Sequence, residues 1–109
     1  MKLWHITFIS FKKDTADSLR KEFHLRLKRL GEDCGGLEAG IIYWSVKKNT
    51  DLRKGVHLVL ISIFENAEAL EKYKQHPKHK EFSNLLRDIA DWQVGDIWNE
   101  CPRVPVSLY

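Results

Sequence analysis

The stretch Tyr73-Lys74-Gln75-His76-Pro77-Lys78-His79-Lys80-Glu81-Phe82 constrains this chain more than any other. Proline has no N–H and clashes with the preceding turn inside a helix, yet its fixed φ suits the first helical position. Pro77 therefore closes one helix and opens another, with His76 as the N-cap and Pro77 as the first helical residue. His79 then falls at the third helical position. Unpaired N–H groups and the positive end of the helix dipole disfavour an imidazolium there. A neutral His79 is expected, able to accept a proton or a hydrogen bond near neutral pH.

The first strand poses a packing problem. Over residues 3–11, alternation places Leu3, His5, Thr7, Ile9 and Phe11 on one face and Trp4, Ile6, Phe8 and Ser10 on the other. Both faces are largely apolar, and one layer of helices covers only one of them. Asp14 reads as the cap of a helix over residues 15–30, whose Ala16, Leu19, Phe23, Leu27 and Leu30 form an apolar stripe, with Gly31 as its C-cap. The opposite face, carrying Arg20, Lys21, His24, Arg26, Lys28 and Arg29, reads as a solvated basic surface. Residues 39–46 and 56–64 read as the second and third strands, joined by a polar surface loop over 47–55. Asn66 caps a short helix through Ala69, Leu70 and Tyr73. Beyond the junction, Phe82, Leu85, Leu86 and Ile89 mark an amphipathic helix, and residues 92–98 a last strand.

The order β-α-β-β-α-α-β predicts an α+β, ferredoxin-like fold: a four-stranded antiparallel sheet with helices on one face. One domain spans residues 1–100. The segment 101–109 is a tail, extended over 101–106 by its two prolines, either loosely ordered or an arm over a partner subunit. A homodimer packing two bare sheet faces together covers the apolar residues left over, and closing the sheets makes a barrel whose interior could hold a ligand.

Composition removes several function classes. A net charge of +3 with no long basic block argues against nucleic-acid binding. No run approaches the ~18 apolar residues of a membrane span. His5, Thr7 and Ser10 interrupt any secretory core near the start, so the chain reads as cytoplasmic. Cys34 and Cys101 lack C-x-x-C partners and read as free thiols. His76 and His79 stand three residues apart without an acidic or cysteine ligand set, so no metal is expected.

Three segments resemble the stress-responsive dimeric α+β barrel, or Dabb, family. They are His5-Ile6-Thr7-Phe8-Ile9-Ser10-Phe11-Lys12, Gly55-Val56-His57, and the run Ala69 to Phe82, which is similar to the family pattern A-L-x-x-Y-x-x-H-P-x-H-x-x-F. The resemblance covers residues 2–98 and implies a homodimeric barrel with a cavity in each subunit. One branch it resembles, the plant polyketide cyclase that makes olivetolic acid, uses a His and a Tyr of this pattern in an intramolecular aldol condensation. Carried over, His79 is the base and Tyr73 its partner, with His5 and His57 in the same cavity and no metal or organic cofactor required. The Gly-x-His segment is one residue shorter than the family's common form, and Trp44 and Trp92 are placed to fill space that a cyclase leaves open.

Alternatives stay open at each of these positions. His79 and Tyr73 either hold the helix junction or act on a ligand; His76 either caps or joins Trp44 and Trp92 around a ligand; His5 and His57 are either satisfied core histidines or cavity groups. Three functions follow: a stress-responsive barrel that binds a small hydrophobic or aromatic molecule, a cofactor-free aldol-type cyclase, or a monooxygenase-like barrel enzyme.

Overall fold

The computed structural model describes residues 1–101. The elements are β1 (Lys2–Phe11), α1 (Asp17–Asp33), a 3₁₀ turn (Gly36–Ala39), β2 (Ile41–Lys48), β3 (Leu58–Phe64), α2 (Ala67–Gln75), α3 (Pro77–Ile89) and β4 (Ala90–Asn99). All strand pairs are antiparallel, in the order β2-β3-β1-β4. This is the ferredoxin-like arrangement expected. Within the predicted extended segment 101–106, everything after Cys101 lies outside the described residues.

The inner sheet face and the helices share one core. Ile9 and Phe11 of β1, Leu60 and Phe64 of β3, Phe23 and Leu27 of α1, and Phe82 and Leu86 of α3 are all buried in it. The other sheet face carries Trp4, Ile6 and Phe8 in register with Ile63, Ile61 and Val59 of β3. Phe8 is 39% exposed and Ile97, opposite Trp4 on β4, is 48% exposed. An apolar face is thus left open within one chain, as the two-sided pattern of β1 requires.

Both ends of α1 differ from expectation, each for a tertiary reason. Asp14 does not cap α1. The N-cap is Ala16, with no side-chain cap bond. Thr15 Oγ1 and the Lys12 N–H instead both donate to the Ile89 carbonyl, at 2.9 and 2.8 Å, and this ties residues 12–15 to the end of α3. Nor does Gly31 end the helix, which continues to Asp33; Gly35, at φ 110°, takes the left-handed position after it. Gly31 serves contact instead, since a Cβ there would sit 2.7 Å from Trp44 Cδ2.

β2 starts two residues later than expected, after the 3₁₀ turn, and carries a bulge between Ile41 and Tyr43. The extra residue lets Ile41 and Trp44, three apart, both face the core. Asn66 caps α2 as predicted, its Oδ1 accepting from the Ala69 N–H at 2.8 Å. The junction also forms as read: His76 is extended, its Nδ1 accepts from the Lys78 N–H at 3.1 Å, and Pro77 opens α3.

Candidate functional site

A cavity of about 300 Å³ lies between the inner sheet face and the helices of one chain. Its walls are apolar, from Ile9, Leu60, Leu27, Leu30, Phe82 and Leu86. Polar groups enter from three elements, each placed by local sequence. Tyr73 faces inward from α2 four residues beyond Ala69, on its buried stripe. His79 follows from the proline junction. His5 and Thr7 belong to the inner face of β1, where they are 6% and 7% exposed.

Tyr73 and His79 pack edge to face, with centroids 4.4 Å apart. His5 stands 6.3 Å from Tyr73. Tyr73 is steadied from behind by Phe64 at 5.2 Å and by Trp44 at 5.7 Å. Burial lowers the pKa of His79 below 6.5; a hydrogen bond to the Lys74 carbonyl opposes the shift, while the charges of His5, Lys74 and His76 add to it. The ring is therefore neutral at pH 7, as its place in the first turn of α3 predicts. Burial, and then the nearby Cys34, raise the pKa of Tyr73, so its phenol keeps the proton and is a donor.

The sequence reading missed Asp96. Its Oδ1 lies 2.5 Å from His5 Nδ1. The β1–β4 register places the two residues directly opposite each other. With Nδ1–H donated to the carboxylate, His5 Nε2 is the free nitrogen, and the ring orientation is held by a group outside the cavity. The signal was a lone acidic residue among Trp92, Val94, Ile97 and Trp98. It gains meaning only with the register.

Three expected site residues lie elsewhere. His57 does not line the cavity: its Nδ1 accepts the Phe11 N–H at 3.0 Å, and its ring packs on Phe11 at 5.6 Å. Accepting at Nδ1 puts the proton on Nε2, so the 3.5 Å approach of Arg20 Nη1 to Nε2 is a contact between two donors. Burial first, and then Arg20, lower the His57 pKa. His76 is used in capping α3. Trp44 lies behind Tyr73, where its Nε1–H donates to the Leu27 carbonyl at 3.0 Å, and it supports the site without lining it. Trp92 does line the cavity, at its rim, and is 37% exposed.

The arrangement suits proton transfer near a carbonyl or phenol: a neutral imidazole as base, a phenol as donor, and a second imidazole oriented by a carboxylate. Among the described residues no group of three or more His, Cys, Asp or Glu is placed to hold a metal ion, and no helix is long and apolar enough to cross a membrane.

Residues 3–99 match the family model described as Stress responsive A/B Barrel Domain. A comparison with curated protein sequences returns no match. Among solved structures, the chain is similar to the Arabidopsis thaliana protein At3g17210, with 22% identity, TM-score 0.74, and 94% of this chain and 99% of that one covered. It is also similar to a dimeric protein of unknown function and ferredoxin-like fold from Bacteroides fragilis, with 18% identity, TM-score 0.72, and 88% and 94% covered. A third is the cofactor-independent oxygenase SnoaB from Streptomyces nogalater, with 12% identity, TM-score 0.71, and 94% and 96% covered. At these identities the likeness is one of fold.

Proposed function

The chain belongs to the stress responsive A/B barrel domain (Dabb) family, and from that premise we propose that it is a homodimeric barrel that binds a small hydrophobic or aromatic molecule in the cavity of each subunit. The observation that carries the reading is the convergence of His79, Tyr73 and His5 on one largely apolar cavity of about 300 Å³. That volume is at the small end for ligand sites, roughly that of ten water molecules, and fits a one- or two-ring compound. The apolar sheet face left open within one chain supports the dimer, and the B. fragilis structure of this fold is of a dimeric protein. Two unpaired thiols, one exposed at Cys101, suit a reducing cytoplasm.

The 4.4 Å packing of Tyr73 against a neutral His79 favours a second reading on the same site, cofactor-free deprotonation α to a carbonyl as in an aldol-type cyclase. His79 takes the carbon-bound proton, and the Tyr73 hydroxyl donates to the enolate oxygen as charge builds there. The oxygenase reading has no such support; it rests on fold likeness alone.

Benzoylacetone, a flat aromatic diketone, tests both readings. Native mass spectrometry and ¹⁵N NMR should show a dimer, with shifts confined to the cavity residues. Shifts on the outer sheet face, or a monomer, would overturn the binding reading. Deuterium uptake at the α-methylene should accelerate with wild-type protein and return to the buffer rate in His79→Gln. Uptake unchanged by that substitution would remove the base while leaving the binding site in place.

A further inference from the structure

Part of the cavity rim is left unused by acid–base chemistry: Ser83 and Arg87 on α3, and Trp92 on β4. His79, Ser83 and Arg87 stand at i, i+4 and i+8 on α3, so they share one stripe about 12 Å long at the helical rise. β4 runs alongside, with Asp96 opposite His5 and Trp92 opposite Ile9. The cavity therefore has two chemically distinct ends. His5, Tyr73 and His79 gather at one, and Arg87 stands at the other.

No Asp or Glu is among the residues that line the cavity. Among the described residues the Arg87 side chain makes no ion pair or hydrogen bond; its carbonyl accepts from Lys12 Nζ at 3.3 Å, which brings a further cation close. Lys74 adds positive charge at the ring end. An arginine at the edge of an apolar slot, with no carboxylate of the described residues to hold it, is free to take one from a ligand. Its planar fork matches both carboxylate oxygens at once.

We propose that the ligand is a flat hydrophobic carboxylate, bound with its carboxylate on Arg87, its apolar body between Phe82 and Trp92, and its far end at His79 and Tyr73. Ser83 lies between the two ends and offers a hydroxyl to a substituent along the body. The proposal rests on the cavity-binding reading above and adds the ligand's charge and its direction in the slot. A cation would meet Arg87, Lys74 and Lys12 with no opposing lining charge, whereas an anion is drawn to the mouth and oriented by it.

Trans-cinnamate and its neutral counterpart trans-cinnamamide are the probes, titrated into wild-type protein and variants and followed by ¹⁵N NMR shifts of cavity residues. Cinnamate should bind about tenfold more tightly than the amide at low salt, the weight of one partly exposed charged hydrogen bond. In Arg87→Gln, a change at an exposed position, the two probes should bind alike at the amide's wild-type affinity; Arg87→Lys should restore part of the preference. Equal binding of both probes to wild type would overturn the carboxylate assignment and leave the cavity reading standing. Failure of both to shift the cavity residues would overturn the cavity reading itself. A preference that survives Arg87→Gln and disappears in Lys74→Gln would overturn the direction.

Discussion

Gly31→Ala tests whether the scaffold behind the site is as tight as its geometry requires. Gly31 is buried within α1, where a Cβ would lie 2.7, 2.9 and 3.0 Å from Trp44 Cδ2, Cε3 and Cγ. Trp44 has little room to withdraw. It is 3% exposed, its Nε1–H is held by the Leu27 carbonyl, and its ring abuts Tyr73. In an ordinary helix interior, alanine for glycine stabilises by about 1 kcal/mol. Here overpacking costs about 1–3 kcal/mol, and a displaced indole loses a hydrogen bond worth about 1 kcal/mol. The net expectation is a loss of roughly 1–3 kcal/mol, a fall in Tm on the order of 10 °C for a domain of this size. Thermal and urea denaturation measure it, together with the same change in a Trp44→Leu background. Without the indole, Gly31→Ala should become neutral or stabilising, a coupling of about 1 kcal/mol or more. Because Trp44 backs Tyr73, the single variant should also weaken benzoylacetone binding. A Gly31→Ala protein more stable than wild type, or equal effects in both backgrounds, would refute the close approach.

Asp96→Ala leaves the buried His5 Nδ1–H without its acceptor and should cost about 1–2 kcal/mol in urea unfolding; no change in midpoint would show that the pair is incidental. Burial lowers the pKa of His24, His57 and His79 below 6.5. Between the folded values and 6.5 the unfolded chain binds more protons, so stability rises with pH through that window and is lost as pH falls below about 6.5. Urea midpoints at pH 7.5, 6.5 and 5.5 should fall in that order, less steeply in His79→Gln, and a rise on acidification would contradict the assigned directions. Burial, followed by Asp33, pushes the Cys34 thiol up to about 11, opposed by the His79 backbone N–H. At pH 8 a thiol reagent should therefore label exposed Cys101 at once and Cys34 only after denaturant is added; two fast thiols would mean that the α1 C-terminus opens readily.

Elements with strong local signals were readable one at a time. The Asn66 cap, the His76-Pro77 junction and the stripe from Phe82 to Ile89 formed where the residues place them, because each rests on contacts within a few residues. The ends of α1 were not readable in this way. Asp14 and Gly31 have the right chemistry for caps, yet Thr15 is taken by the Ile89 carbonyl, and the glycine is required by Trp44 on another element. Among the candidate site residues, His79, Tyr73, His5 and Trp92 meet at the cavity. His57, His76 and Trp44 are occupied by backbone groups, which no spacing rule reveals.

By itself the sequence determined the element order, the two-sided apolar character of β1 and the neutral histidine at the third position of α3, since each follows from local conformation or from alternation along one strand. Only the tertiary structure decided which polar groups share a cavity and on which side of the sheet it lies. The His5–Asp96 pair spans 91 residues and exists because β4 aligns on β1 in one register. The cation at the far end of the slot likewise takes its meaning from the strand that α3 packs beside. Contacts between distant segments depend on how whole elements pack, and packing is set by the total burial of the core rather than by any one stretch of chain.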